Sequence, residues 1–461
     1  MSIELAFAFP HPPLAVPEVG RGGQADIQKT LDAFDEAAAE IAALEPETIV
    51  FMTPHSCLYS DYFHISPGSS AVGDLGRFAA GGVKFSAQYD RELAKTIAEL
   101  ARRDSLAAGP LGEKDAALDH GVSIPMWFIN RRYDRYMTVR ISQSGFDGPE
   151  HYRLGQLIAE AARETGRRTV FVASGDLSHK LSASGPYGFA AAGKEFDDRI
   201  IGAFSSGDFY DLFFVSDELR RDAAECGYNS FMALAGCLDR RRVCASLLSY
   251  EGPFGVGYAV ARFKPTAYDE SRALLDRYTK GLRDSADADG RNEDEYCALA
   301  RRSLEYTLKH GGTMPLPEGL PDELLQSRAG VFVSFHKDDR LRGCIGTISP
   351  TTGCIALEII KNAVSAGLAD YRFSPVSERE LPLLSCKVDV LTPPELIANE
   401  DELDVRRYGV IVSSGAKRGL LLPDLDGVDS VRQQVAIARE KGGIAENEPL
   451  KLERFEVIRH E

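Results

Sequence analysis

Three times along this chain a short apolar run ends, after a kink, in a histidine. The runs are IELAFAFPH, closing at His11, TIVFMTPH, closing at His55, and RRTVFVASGDLSH, closing at His179. Each is rich in Val, Ile, Phe and Ala and is bounded by Pro or Gly, which predicts a buried strand. In open α/β sheets ligands bind just beyond the carboxyl ends of the strands, so imidazoles delivered there can converge on one crevice. Three of nine histidines placed this way predict a metal or acid/base site.

The rest of the first 265 residues supports a layered α/β domain. Ile27, Leu31, Phe34, Ala38 and Ile41 recur at helical spacing after the first strand. YDRELAKTIAELARR and HYRLGQLIAEAARETG read as further helices, YMTVRISQ as a strand, and the tract from Ala190 to Leu238 as helical. GPFGVGYAVARF closes the domain as a final strand, and helices covering a sheet is the expected architecture. Residues 266–292 change character: a charged helix is expected, followed by an exposed linker around the acidic stretch Asp284–Gly290. From 293 to 461 a smaller α+β unit is expected. Its helix to His310 is stopped by Gly311-Gly312, and AGVFVSFHKDDRLRGCIG forms a hairpin turning at Lys337–Asp339. A helix IALEIIKNAVSAGLA, a strand LLSCKVDVLT, a second hairpin YGVIVSSGAKRGLLLP and a helix VDSVRQQVAIAREKG follow.

Composition narrows the function classes. A length of 461 residues exceeds one ordinary core, and a net charge of −16 argues against a general nucleic-acid or anionic-membrane binder. MSIELAFAFPHPP lacks a basic leader and breaks at Pro10, so it reads as a strand and not a signal peptide. No apolar stretch approaches the roughly 20 residues that span a bilayer. Eight scattered cysteines without a CxxC pair suit a reducing compartment, and a cytoplasmic protein is expected.

Two imidazoles and one carboxylate with open positions are the usual ligand set for non-heme Fe(II) oxygen chemistry. His11 and His55 share the same Pro-His step and form the best-matched pair. Glu225, in RDAAECGYNSFMAL, is the leading carboxylate, beside Cys226. His120 in LDHGVSIP and His179 in SGDLSHK are expected in loops and suited to proton transfer. Asp176 reads either as a helix N-cap or as a partner orienting His179. A lone histidine after a strand is commonly only a capped loop residue; the joint pattern carries the reading, since the remaining histidines lack this context.

Taken in order, PHPP at His11, TPH at His55, LDHG at His120, DLSH at His179 and the late Glu225 resemble class III extradiol ring-cleavage dioxygenases of the protocatechuate 4,5-dioxygenase catalytic-subunit type. The resemblance spans about residues 1–265. It implies Fe(II) held at His11, His55 and Glu225, with His120 and His179 as acid/base groups. The related Memo proteins carry Cys-Gly at the third-ligand region, as Cys226-Gly227 does here, which implies zinc or copper with a thiolate as alternatives.

In the second half, LRGCIG places Arg342 and Cys344 on one strand face if alternation holds, and the guanidinium is then expected to favour the thiolate. The structural alternative is a small buried residue between glycines. LRGCIGTISP, YRFSPV, GVIVSSGAKRGLLLP and VRQQVAIAREKGGI resemble the AMMECR-type domain. The fusion resembles protein A of the AmmeMemoRadiSam system, which implies a separate radical-SAM protein as partner, as no CxxxCxxC motif is present.

These readings lead to an Fe(II)-dependent dioxygenase that opens a catechol-like or aminophenol-like ring with O2. The alternatives are a Memo-like metal-binding or adaptor protein, or Cys344-based chemistry in the second domain. A homodimer is the default expectation for assembly.

Overall fold

The computed structural model of the chain describes residues 3–112, 117–289, 294–337, 340–378, 380–425 and 427–461. The chain divides into two compact units, Met1–Tyr278 and Thr279–Glu461. In the first, the strands are β1 (Ile3–Phe9), β2 (Thr48–Thr53), β3 (Phe63–His64), β4 (Ser70–Leu75), β5 (Ala80–Gln88), β6 (Ala108–Gly109), β7 (Met137–Ser142), β8 (Thr169–Ser174), β9 (Arg241–Glu251) and β10 (Tyr258–Tyr268). Six of them form one sheet in the order β7-β2-β8-β1-β10-β9. The first four run parallel, and β10 and β9 add an antiparallel edge.

Burial of both sheet faces explains the unbroken apolar runs. Every residue of β2 and β8 is buried, as expected when helices cover a parallel sheet on each side. Alternate side chains divide between two cores. Phe7, Phe9, Phe51 and Val172 pack with Phe34 and Phe128 from helices Gln28–Leu44 and His120–Asn130. Ala6, Ala8, Met52 and Ala173 pack on the other side with Ile158, Phe196 and Met232 from helices Gly148–Thr165, Ala191–Ser206 and Tyr228–Cys237.

Local chemistry fixes the helix ends. Asp90 accepts from the Leu93 amide and Asp147 from the Glu150 amide, each capping the helix that follows. Helices Gly148–Thr165 and Tyr228–Cys237 cross with their backbones touching. A Cβ on Gly155 would stand 2.0 Å from the Ala233 carbonyl oxygen, and one on Gly236 would stand 1.8 Å from that of Tyr152.

The α/β reading of this unit holds, with two additions. The hairpin of β4 and β5 and the long edge strand β9 were not expected. The charged segment is helical from Leu274 through Asp289, so the acidic stretch continues the helix; residues 290–293 lie outside the described residues. No described helix is long and apolar enough to cross a membrane.

The second unit is α+β, as expected. Its strands are β11 (Val331–Lys337), β12 (Arg340–Gly346), β13 (Leu384–Leu391), β14 (Glu395–Ile397), β15 (Gly409–Ser414), β16 (Lys417–Leu421), β17 (Lys451–Phe455) and β18 (Val457–His460). They form two four-stranded sheets, β12-β11-β13-β18 and β14-β17-β15-β16. Val331, Val333 and Phe335 pack with Leu299, Leu304 and Ile359 from helices Glu295–His310 and Ile355–Leu368. Val410, Val412 and Leu421 pack with Val435 of helix Val431–Lys441. The β11–β12 hairpin is present, and residues 338–339 of its expected turn lie outside the described residues.

The glycine crossing yields a stability test. Gly155→Ala and Gly236→Ala should each force the two helices apart, lowering unfolding free energy by about 1–3 kcal/mol or more. Urea unfolding followed by circular dichroism measures the loss, and an unchanged midpoint in both would refute the close crossing.

Candidate functional site

The carboxyl ends of β1, β2 and β8 lie level, because Ala173 pairs with both Ala8 and Met52 and Ser174 pairs with Phe9. The residues that follow are therefore delivered to one edge. His11 and His55 meet there, with ring centroids 4.7 Å apart and Nε2 atoms 3.0 Å apart. The third group is Cys226, whose Sγ lies 3.6 Å from His11 Nε2. One donor atom from each of His11, His55 and Cys226 lies within 4.8 Å of the others.

Glu225 does not join them, which corrects the expected ligand set. Its Oε1 accepts from Arg220 Nε at 2.9 Å and its Oε2 from the Tyr228 amide at 2.7 Å. The carboxylate is thus engaged at the start of helix Tyr228–Cys237, while its neighbour Cys226 faces the histidines.

Asp176 follows β8 with no helix behind it, so it is not an N-cap. Its Oδ1 accepts from the His11 amide at 2.8 Å, and its Oδ2 stands 3.9 Å from both His11 Nε2 and His179 Nε2. His179 lies in the loop after β8, as expected. His120 does not lie in a loop but opens helix His120–Asn130. Its ring stacks on His55 at 4.1 Å and stands 5.2 Å from His11. Gly121 beside it answers a close approach and not a turn, since a Cβ there would lie 2.4 Å from Thr53 Oγ1.

Hydrogen bonds fix two tautomers. Ser174 Oγ lies 2.5 Å from the Gly121 carbonyl, which only accepts, so the hydroxyl proton points there. The contact between Ser174 Oγ and His11 Nδ1, 2.9 Å, must then be donated by Nδ1–H, leaving the Nε2 lone pair facing the cluster. In the same way His179 Nδ1–H donates to the Ala224 carbonyl at 2.6 Å, leaving Nε2 toward Asp176.

Burial sets the charges. It holds His11 well below the usual imidazole value, aided by His55 and His179. His55 is pushed down to about 4 by burial and then by His120, and His120 to about 4 by burial and then by His11. These three rings are neutral near pH 7, the form that donates a lone pair to a metal. Burial, Asp176 and Glu225 push the Cys226 thiol well above its usual range. Burial also raises Asp176. A cation among these groups would favour the thiolate and carboxylate forms, so the residues present fit a divalent transition metal. Two imidazoles suit iron, zinc or copper, and the sulfur moves the preference toward the softer ions.

Several residues around the site were not singled out from sequence. Gln143 Nε2 donates to the Cys226 carbonyl at 2.8 Å and to Ser230 Oγ at 2.9 Å. The His55 amide donates to Thr53 Oγ1, whose hydroxyl donates to Asp119 Oδ1. Buried Arg140 stands 3.7 Å from Asp119 Oδ2. Ser, Thr and Gln at strand ends were the available signal, but their partners come from distant positions. A cleft of about 1030 Å3 opens beside His55 and His120, lined also by Phe78, Arg77 and Lys84. A more apolar groove of about 910 Å3 runs along helix Arg91–Arg103 and includes none of the cluster residues.

In the second unit the expected Arg342–Cys344 pairing is not made. Phe335 pairs with Gly343 and His336 with Leu341, so Arg342 is the extra residue of a bulge and alternation breaks there. Arg342 instead binds Glu380, Nε to Oε1 at 3.0 Å, and the Ser374 carbonyl. Arg372 is the guanidinium beside Cys344, donating to its carbonyl, but burial dominates and pushes the thiol up. The acidic thiol expected at Cys344 is therefore corrected.

A model of the catalytic LigB subunit of aromatic ring-opening dioxygenase matches residues 5–261, and a model of the AMMECR1 family matches residues 297–460. A Clostridium acetobutylicum protein is 39% identical over 469 residues, covering 100% of this chain and 99% of its own. A Thermotoga maritima protein is 46% identical over 170 residues, covering 36% of this chain and 98% of its own. A crystal structure of an uncharacterized Pyrococcus horikoshii protein aligns with TM-score 0.34 at 32% identity, covering 36% of this chain and 89% of that one.

Two measurements check this geometry. Ser174→Ala should weaken metal binding roughly 10–100-fold, the usual effect of losing a partner that orients a ligand; equilibrium dialysis with Zn(II) reads it. Iodoacetamide near pH 7 should label exposed Cys244 ahead of Cys344, and faster labelling of Cys344 would restore the reactive-thiol reading.

Proposed function

The chain belongs to the LigB family of aromatic ring-opening dioxygenase catalytic subunits, extended by an AMMECR1 domain, and from this we propose that its first unit is a metal-dependent oxidoreductase that opens a catechol-like or aminophenol-like ring with O2. The observation that carries the reading is the gathering of His11 and His55 at one sheet edge, with His120 and His179 beside them. Fe(II) is the metal we propose, with zinc or copper as alternatives suited to sulfur. When bound, such a metal would take two adjacent ring heteroatoms as ligands and supply the redox chemistry toward O2.

The chain's own residues would do the rest. His11, held by Ser174, presents Nε2 as a ligand and keeps its other proton out of the chemistry. His179 Nε2, the free nitrogen of that ring, takes a proton from a substrate hydroxyl or amine, and Asp176 stabilises the imidazolium that results. His120, stacked on His55 beside the cleft, would take up a proton during the reaction and return it to the product. Phe78, whose ring meets His120 edge-on at 5.4 Å, lines the same cleft and offers an apolar face to an aromatic ring.

A second reading is a Memo-like metal-binding or adaptor protein that works with a separate radical-SAM partner. The placement of Cys226, and not Glu225, toward the two histidines favours it.

Metal analysis of the anaerobically purified full chain, with oxygen consumption over a panel of catechols and aminophenols, separates the two. Stoichiometric metal with substrate-dependent oxygen uptake supports the dioxygenase; bound metal without uptake supports the second reading. His11→Ala and Cys226→Ser should lose stoichiometric metal. His179→Ala should keep it while turnover falls about 10²–10⁴-fold.

A further inference from the structure

Ala224 is a non-glycine residue in the left-handed region, φ 52° and ψ 42°, at the end of helix Asp217–Ala223. That conformation is disfavoured for a residue with a Cβ and persists only where neighbours enforce it. Its consequence is that two adjacent carbonyls point at the His179 loop. Ala223 accepts from the His179 amide and from Ser178 Oγ, and Ala224 accepts from His179 Nδ1–H. Two residues later the same segment turns Cys226 Sγ toward His11. One stretch of four residues, Ala223 to Cys226, therefore bears on a proposed ligand and a proposed proton-transfer group together.

What holds the segment is Glu225, between the two. Its side chain is only 5% exposed, and both carboxylate oxygens are engaged. Arg220 binds Oε1 while its guanidinium lies 4.1 Å over the Tyr228 ring and also reaches Asn229 Oδ1. Oε2 accepts from the first amide of helix Tyr228–Cys237, whose own N-cap, Gly227, offers no side chain. A carboxylate suits that position, because helix N-termini favour negative charge.

We propose that Glu225 is a positioning residue that fixes both the Cys226 thiol and the Ala224 carbonyl. Through them it sets the donor geometry of the metal and the tautomer of His179. The inference rests on the reading of His11, His55 and Cys226 as the metal-holding group. The competing account is that Glu225 only caps a helix and contributes to stability alone.

Co(II) titration of the full chain distinguishes them, since a thiolate bound to Co(II) gives its own charge-transfer absorption. Glu225→Ala should lower Co(II) affinity about 10–100-fold and weaken that absorption per bound Co(II). The ring ¹⁵N signals of His179 should show a second tautomer. Arg220→Ala should shift the same readouts in the same direction, and it carries the test if Glu225→Ala does not fold. Glu225→Gln, which keeps an acceptor for the Tyr228 amide, should retain most of the absorption. Unchanged affinity, absorption and His179 signals in both alanine variants, with only the melting temperature lowered, would overturn the proposal. Loss of Co(II) in Glu225→Gln would overturn it in favour of direct ligation. A wild-type chain that binds Co(II) without thiolate absorption would remove the metal reading itself, and this inference with it.

Discussion

Two glycine backbones in contact bring the site together. Gly175 follows β8 and Gly227 precedes helix Tyr228–Cys237, and a Cβ on Gly175 would lie 2.1 Å from Gly227 Cα. A side chain at Gly175 would hold the loops apart and lift Cys226 away from His11, and one at Gly227 would run into the Phe231 ring. The same approach lets the Asp176 amide donate to Cys226 Sγ at 3.3 Å. The contact is possible because helix Tyr228–Cys237 is already pressed against its neighbour through Gly236 and Gly155. Packing in the core and chemistry at the edge are thus linked by absent side chains.

Charge explains why so many ionisable groups share so small a space. Uncompensated charge is costly to bury, and desolvation holds buried His11 neutral and lowers half-buried His120 and His55, whose ring still reaches solvent. Cys226 and Asp176 stand directly against the imidazoles as groups able to carry negative charge, with Glu225 and Asp119 acting from behind them. One thiolate and one carboxylate would balance the two positive charges of a divalent ion if one were held there.

Much of this was readable from residue order. Unbroken apolar runs reported the parallel strands because both sheet faces are covered, and the Pro-His steps reported where β1 and β2 end. The edge strand β9 escaped because RRVCASLLSYE is mostly half-exposed and has neither an apolar run nor clean alternation. Glu225 and Cys226 could not be told apart because adjacent residues differ only in the direction they face. That direction is set by Arg220 and the Tyr228 amide. Arg342 was misread for a related reason, since one inserted residue in β12 cancels the alternation on which the pairing rested. Partners such as Ser174 for His11 and Gln143 for Cys226 lie 163 and 83 residues away, beyond the reach of local pattern.

The donors reach the centre by two independent routes. His11 and His55 ride on the parallel strands of the sheet, whereas Cys226 arrives on a short connection between two helices. Substitutions within that connection would alter the third side chain at this edge while the strands and their core remain as they are. A scaffold divided in this way separates folding from site composition: a one-residue shift in that connection would change which side chain faces His11 and His55 without touching the strands that carry them.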